Sequence, residues 1–253
     1  MTLSRLLATH RDVNRSIYEL SLLDVTFSLI PLSIVLAVLV SWRVEVKNTI
    51  YATARMLGQL AVIGYVLRLV LTTDVAGLVV AIYVLMVAVA AWISLRPIPD
   101  ERRRQLPSAF AALLAVTLPI LALLLFVVIR PEPWYLPSYS IPLAGMVVAN
   151  GMNVLSLAAE RYNKEIQSRN DELDARRVAL RAALIPPTNT FLAVGLVSLP
   201  GMMTGQILAG IDPLIAARYQ IMIMSAIYAA GALSAALFLL LRRGPHPRVV
   251  DAS

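Results

Sequence analysis

The sequence predicts an all-α membrane protein, a polytopic bundle of about seven transmembrane helices, on three observations. Hydrophobic residues make up 59% of the 253 and charged residues only 15%, with a mean hydropathy of +0.76, whereas soluble domains are about half apolar and a quarter charged. The apolar residues fall in runs of about 20, the length a helix needs to cross roughly 30 Å of hydrocarbon. The loops between those runs alternate sharply in basic charge. The expected organisation is one membrane domain over residues 22–241, an extracytoplasmic or interfacial segment at 1–21 and a cytoplasmic tail at 242–253.

The opening stretch, MTLSRLLATHRDVNRSIYELSLLD, lacks a clear small-residue cleavage site, and the apolar run after it is long and holds Pro31, so it reads as mature chain and not as a signal peptide. An in-plane helix with Leu3, Leu6, Leu7 and Val13 on lipid and Arg5, Arg11 and Arg15 at the headgroups accommodates its charge. The spans follow at 22–42, 50–71, 75–95, 108–129, 141–159, 182–208 and 213–241. Fifteen of the 22 basic residues fall in one set of alternating loops, around 43–47, 96–104 and 161–181 and in the tail. The positive-inside rule makes that side cytoplasmic and puts the N-terminus outside, a parity that seven spans satisfy. Trp42, Trp92, Trp134 and Tyr135 fall near span ends, as interfacial aromatic residues do.

Span two, IYATARMLGQLAVIGYVLRLVL, places Arg55 and Gln59 one turn apart beside Gly58. A guanidinium at bilayer depth calls for a partner, so this face looks toward protein or water. Asp24 is the one obvious acidic candidate within a predicted span. A structural Asp–Arg pair and a substrate contact both fit. Span five, IPLAGMVVANGMNVLSLAAE, puts Met146, Asn150 and Asn153 on one helical stripe, with Gly145 and Gly151 permitting close approach. That stripe suits a polar pathway and equally suits hydrogen bonding between helices.

The loop at 160–181 mixes six basic residues with five acidic ones and carries Ile166, Leu173, Val178 and Leu180 at roughly helical spacing, so it is expected as an amphipathic helix or helix pair. It reads either as a solvated extension or as a docking surface for a cytoplasmic partner, with Glu160, Arg169, Glu172, Arg176, Arg177 and Arg181 as the docking residues.

Span six, LIPPTNTFLAVGLVSLPGMMTGQILAG, is the unusual one. From Ala182 to Gly210 a continuous helix would measure about 43 Å, too long for one upright crossing. Pro186 and Pro187 remove backbone donors at one end and Pro200-Gly201 does so again further along, so a broken or re-entrant segment is expected. Breaks at membrane depth are tolerated where the freed backbone meets protein or lines a water-filled cavity. Asn189, Pro200, Gly201, Met202, Met203 and Gln206 therefore join Arg55, Gln59, Met146, Asn150 and Asn153 as candidate pathway residues.

The chain has no cysteine, so disulfides and thiolate metal ligands are excluded, and no particular metal ligand set is assigned. Its formal net charge of +7 reflects the loop asymmetry, and no nucleic-acid partner is expected. Lys47 and Lys164 are the only lysines and neither sits in a phosphate-binding loop. His10 and His246 lie in the tails, and no HExxH or GxSxG motif is present. These absences point to a chain that is not an enzyme.

RAALIPPTNTFLAVGLVSLPGMMTGQILAGIDPLIAARYQIMIM, residues 181–224, resembles the FetB-type membrane subunit, a family linked to ABC-type iron export. IPLAGMVVANGMN and ARMLGQLAVIGYVL are similar to its other typical stretches, so the resemblance covers most of residues 45–241. It implies a multi-pass permease of the plasma (inner) membrane, paired with a second copy and with separate ATP-binding subunits. ATP then acts through the partner, no cofactor is held stably, and the cargo is iron or a related metal ion. Plant members are tied to aluminium tolerance and nucleotide-sugar movement, so an ABC permease for another solute is one alternative and an ion-coupled secondary transporter another. The family pattern has a longer stretch with a Gly-Ala-Thr-Pro-like turn before the Arg-Ala-Ala-Leu-Ile-Pro motif. This chain has neither Gly nor Pro between Gly151 and Pro186, so either docking uses a continuous helix over 160–177 or the coupling to the ATPase is altered.

Overall fold

The computed structural model describes residues 21–44, 46–70, 75–168 and 171–242, apart from the side chains of 66–69. All regular structure among them is helical. The chain divides into two units, Met1–Thr73 with Gly205–Asp212, and Asp74–Thr204 with Pro213–Ser253.

In the first unit α1 (Leu22–Ser28) starts on a capping box: the Ser21 Oγ accepts from the Asp24 amide, and Ser21 N–H and O–H donate to the Asp24 carboxylate at 2.8 and 2.7 Å. Leu29 joins α1 to α2 (Ile30–Ser41), where Pro31 sits in the first turn and its missing N–H costs no helical bond. Helix α3 (Val46–Val70) follows. No side chain described in α1–α3 is buried.

The second unit contains α4 (Ala76–Ser94), a 3₁₀ turn (Pro99–Glu101), α5 (Arg102–Ala122), α6 (Pro137–Ser168), α7 (Glu172–Ala193) and α9 (Pro213–Leu241). The short α8 (Gly201–Leu208) begins here and ends in the other unit. Helix α5 passes into a π-helical turn, Leu123–Ile129, after Pro119 interrupts its ladder. Arg130 closes that turn at φ 52, its amide donating to the Leu125 carbonyl.

Helix α6 is central and packs against α4, α5, α7 and α9. Its interfaces are built from small residues, among them Ala112, Ala158, Ala159, Ala179, Ala183, Ala230 and Ala235, all buried. Within lipid, where water does not drive helices together, small side chains let backbones approach for dispersion contact. The approach is tightest at two glycines. A Cβ at Gly231 would lie 2.7 Å from the Val154 Cγ2, and one at Gly151 would lie 2.9 Å from the Leu113 Cδ2.

Among the described residues five stretches are long and apolar enough to cross a bilayer: Leu22–Ser41, Ala76–Ser94, Pro99–Ile129, Pro137–Ser168 and Pro213–Leu241. The second and sixth of the seven expected spans are not among them. Lys47, Arg55 and Arg68 dilute α3, and the sixth is divided between the end of α7 and α8. Of the two forms expected for the loop at 160–181, the helix pair is the one found, and a helix continuous over 160–177 is not. Helix α6 runs on to Ser168, and α7 starts again at Glu172 with Asp171 as its cap, the Asp171 carboxylate accepting from the Leu173 amide at 2.9 Å. The charged residues are thus the ends of two membrane-length helices. Their length explains this: α6 measures about 48 Å, well beyond the roughly 30 Å of hydrocarbon.

Candidate substrate cavity and charged helix ends

The break falls later than the Pro186-Pro187 pair suggests. Helix α7 continues through both prolines, and the Thr190 hydroxyl returns a hydrogen bond to the Pro186 carbonyl at 3.0 Å. It stops at Ala193, and a turn at 194–200 leads into α8. Most amides of the turn are satisfied within it. The Ala193 carbonyl accepts from Leu196, Val197 and Ser198, and Gly195, at φ 83, donates to the Ser198 carbonyl at 2.9 Å. That positive φ favours glycine. Because Gly195 and Leu196 are turned to those acceptors, no amide of the turn donates to the Phe191 and Leu192 carbonyls.

A cavity of about 440 Å³ opens between this turn and the first half of α9. Phe191, Pro200, Met203, Gln220, Met224 and Ser225 are among its lining residues. The Phe191 ring stacks at 4.6 Å on Tyr228, whose hydroxyl lies 3.3 Å from that of Thr188, so the ring wall is tied to both helices. The Ser225 hydroxyl is engaged by its own helix, donating to the Ile221 carbonyl at 2.9 Å. Gln220 differs: it is only 7% exposed, and its Oε1 has no hydrogen-bond partner among the described residues. A buried amide left without partners costs roughly 1–3 kcal/mol, which a bound ligand or water recovers.

Of the expected pathway residues, Pro200 and Met203 line this cavity and Gly201 opens α8 beside it. Met202 points elsewhere and packs against the hydrophobic core, because consecutive helical positions diverge by about 100°. Met146 also packs on the core, and the Asn150 amide donates back to the Met146 carbonyl at 2.9 Å, a bond within its own helix. Asn153 and Asn189 are exposed. Arg55, Gln59 and Gln206 belong to the first unit. There Arg55 and Gln59 are exposed and Asp24 is engaged by Ser21, so the Asp–Arg pair, one of the two readings of this face, is not formed. The Gln206 Oε1 is buried without a hydrogen-bond partner among the described residues.

Gln220 and Met224 were not flagged by sequence. The signal was present: one amide inside an apolar run, four residues from a methionine and hence on its face. No group of three or more His, Cys, Asp or Glu that could hold a metal exists among the described residues.

At the other end of α9 a charged cluster joins four helices. The Arg242 side chain is fully buried, donates to Glu101 at 2.8 Å and lies 3.9 Å over the Tyr162 ring. Glu101 also accepts from Gln105 at 3.0 Å, and the Tyr162 hydroxyl donates to Glu172, the partner of Arg176. Burial pulls the Arg242 guanidinium below its ordinary value, and the Glu101 carboxylate pulls it partly back. Along α6, Glu160 pairs with Lys164 and Arg161 with Glu165. Thus Glu172 and Arg176 are bound into the structure, while Leu173, Arg177, Arg181 and Ile185 form an exposed stripe at four-residue intervals on α7. Arg169 lies outside the described residues.

Bilayer-length apolar helices, packing through small residues and a broken helix beside an open cavity define a polytopic membrane protein. The chain belongs to the Uncharacterised protein family (UPF0014), whose model matches residues 21–244. It is 39% identical over 200 residues to a UPF0014 membrane protein of Synechocystis, covering 73% of this chain and 77% of the relative. It is 30% identical to the probable iron export permease protein FetB of Escherichia coli, over 79% of this chain and 83% of FetB. It is also 30% identical to the protein ALUMINUM SENSITIVE 3 of Arabidopsis thaliana, over 79% of each chain. No solved structure matches.

Proposed function

We propose that this chain is the membrane subunit of an ABC transporter that exports iron or a related metal ion, with ATP hydrolysed by a separate partner chain. The observation that carries the reading is the cavity beside the broken α7, in a chain aligned over most of its length with a probable iron export permease. Helix breaks bordering a cavity are the usual construction of a transport site, because ends of broken helices offer unpaired backbone groups at depth.

The permease sits in the plasma (inner) membrane as a pair, with N-termini outside. Helix α3 and the α7–α8 segment complete seven crossings, their polar groups turned toward protein or water. The ATPase meets the basic stripe of α7. Its movement passes from Glu172 on α7 through Tyr162 on α6 to Arg242 on α9 and Glu101 before α5. Helix α9 is unbroken from Leu241, next to Arg242, back to the cavity wall at Gln220, about 32 Å away, so a tilt at one end moves the other. ATP binding and hydrolysis then bias two packings of the bundle.

Transport in sealed vesicles tests this. ATP-driven movement of Fe(II) should require both the permease and its ATPase. Movement that persists without the ATPase and follows an imposed ion gradient would instead establish a secondary transporter.

A further inference from the structure

Resting on that reading, we propose that the cavity is the cargo site and takes a soft, low-valent transition-metal cation through Met203, Gln220 and Met224, assisted by the Phe191 carbonyl at the end of α7. The three side chains come from two helices and line one space of about 440 Å³. Gln220 and Met224 stand one turn apart on α9, and Met203 faces them from α8 across the cavity.

Apolar packing accounts for two methionines, which fill gaps readily. It does not account for an amide only 7% exposed whose oxygen has no partner among the described residues. The amide oxygen and nitrogen have nearly the same shape, so a half-turn about the last side-chain torsion presents the oxygen to the cavity without breaking a bond to it. Backbone adds to this. Helix α7 ends at the cavity with its negative dipole end, and the carbonyl of Phe191, which lines the cavity, receives no amide from the turn. Each of these groups stabilises a cation.

The donor set also selects which cation. All the donors are neutral, and none of the cavity's lining residues is acidic. The cost of moving an ion out of water grows with the square of its charge, so a trivalent ion costs roughly nine times a monovalent one and needs anionic ligands. Thioethers are soft and favour Cu(I) or Fe(II) over the hard Al(III) and Fe(III). The site therefore discriminates by softness and charge together.

Ag(I), a redox-inert stand-in for soft cations, provides the test in purified full-length chain without ATPase. One tightly held Ag(I) per chain is expected, with affinity reduced at least tenfold in Met203→Leu/Met224→Leu and severalfold in Gln220→Leu, and Fe(II) but not Al(III) should compete. Met152→Leu/Met202→Leu, at methionines packed on the core, should bind as wild type. Equal loss in both methionine pairs, no loss in the first pair, or displacement by Al(III) overturns the assignment. Leucine conserves volume, so folding is retained, and a monodisperse elution profile checks it. The two readings fail separately. Wild-type export by the Met203→Leu/Met224→Leu variant removes the cavity from the route and leaves the transporter. Ag(I) binding as expected in a chain that moves no metal with its ATPase leaves the site and removes the transporter.

Discussion

Replacing Glu101 by alanine strips the carboxylate from a guanidinium that has no exposed surface. Arg242 donates to Glu101 at 2.8 Å, and its Nε and Nη1 have no hydrogen-bond partner among the described residues. Gln105, fully buried, donates to the same carboxylate oxygen at 3.0 Å. Removing one member of a buried ion pair costs about 3–5 kcal/mol, because the other charge stays desolvated. The Glu101 side chain keeps 20% of its exposure, so water reaches part of the gap and the lower end, about 3 kcal/mol, applies. At roughly 2–4 °C per kcal/mol for a chain of this size, the melting temperature should fall by about 6–12 °C. Thermal unfolding followed by fluorescence-detected size exclusion in detergent reads this directly. Arg242→Met removes the charge while keeping a long apolar stem over Tyr162, so the double variant should be more stable than Glu101→Ala alone. A shift below about 2 °C for Glu101→Ala, or a double variant less stable than the single, would refute the argument that an uncompensated buried charge sets the loss.

Four further outcomes are expected. Gly231→Ala should lower thermal stability by about 1–3 kcal/mol, since its Cβ would meet the stiff, β-branched Val154 at 2.7 Å; Gly77→Ala, with nothing within 4 Å, should be neutral or slightly stabilising in the same assay. Arg177→Glu/Arg181→Glu should leave the permease inserted but reduce co-purification of its ATPase, and an unchanged yield of complex would make the α7 stripe a solvated face. Arg103→Cys, in a chain with no native cysteine, should react with an impermeant thiol reagent in inside-out vesicles and stay unlabelled in intact cells. Pro200→Ala should depress export more than Met202→Leu, because Pro200 lines the cavity and ends the turn whereas Met202 packs on the core.

The all-helical membrane class was legible because it depends on local quantities. A run of apolar residues long enough to cross the bilayer is helical wherever it occurs, since lipid offers its backbone no other hydrogen-bond partner. The same logic anticipated a broken segment between Ala182 and Gly210, because a continuous helix of that length would overrun the bilayer. The place of the break was less legible. Proline weakens a helix without always ending it, and α7 runs through Pro186 and Pro187 to Ala193, its last turns held by Thr188 and Phe191 against Tyr228 of α9. The extent of the charged helix ends was misjudged for a related reason: hydropathy falls where a helix leaves the hydrocarbon, but its hydrogen-bond ladder does not.

Local pattern therefore accounts for an all-helical membrane chain, a charged helical pair and a break rich in methionine. Tertiary structure alone decided which side chains meet. Met203 and Met224 are 21 positions apart, and nothing in either local pattern specifies that α8 and the start of α9 turn them to one cavity while Met202 packs on the core. Arg242 likewise reads as a tail charge in sequence, yet packing buries it against Glu101, 141 residues away. Helical periodicity sets which residues share a face, but the rotation of each helix about its axis depends on close packing at contacts such as Gly151 and Gly231, whose partners come from distant parts of the chain.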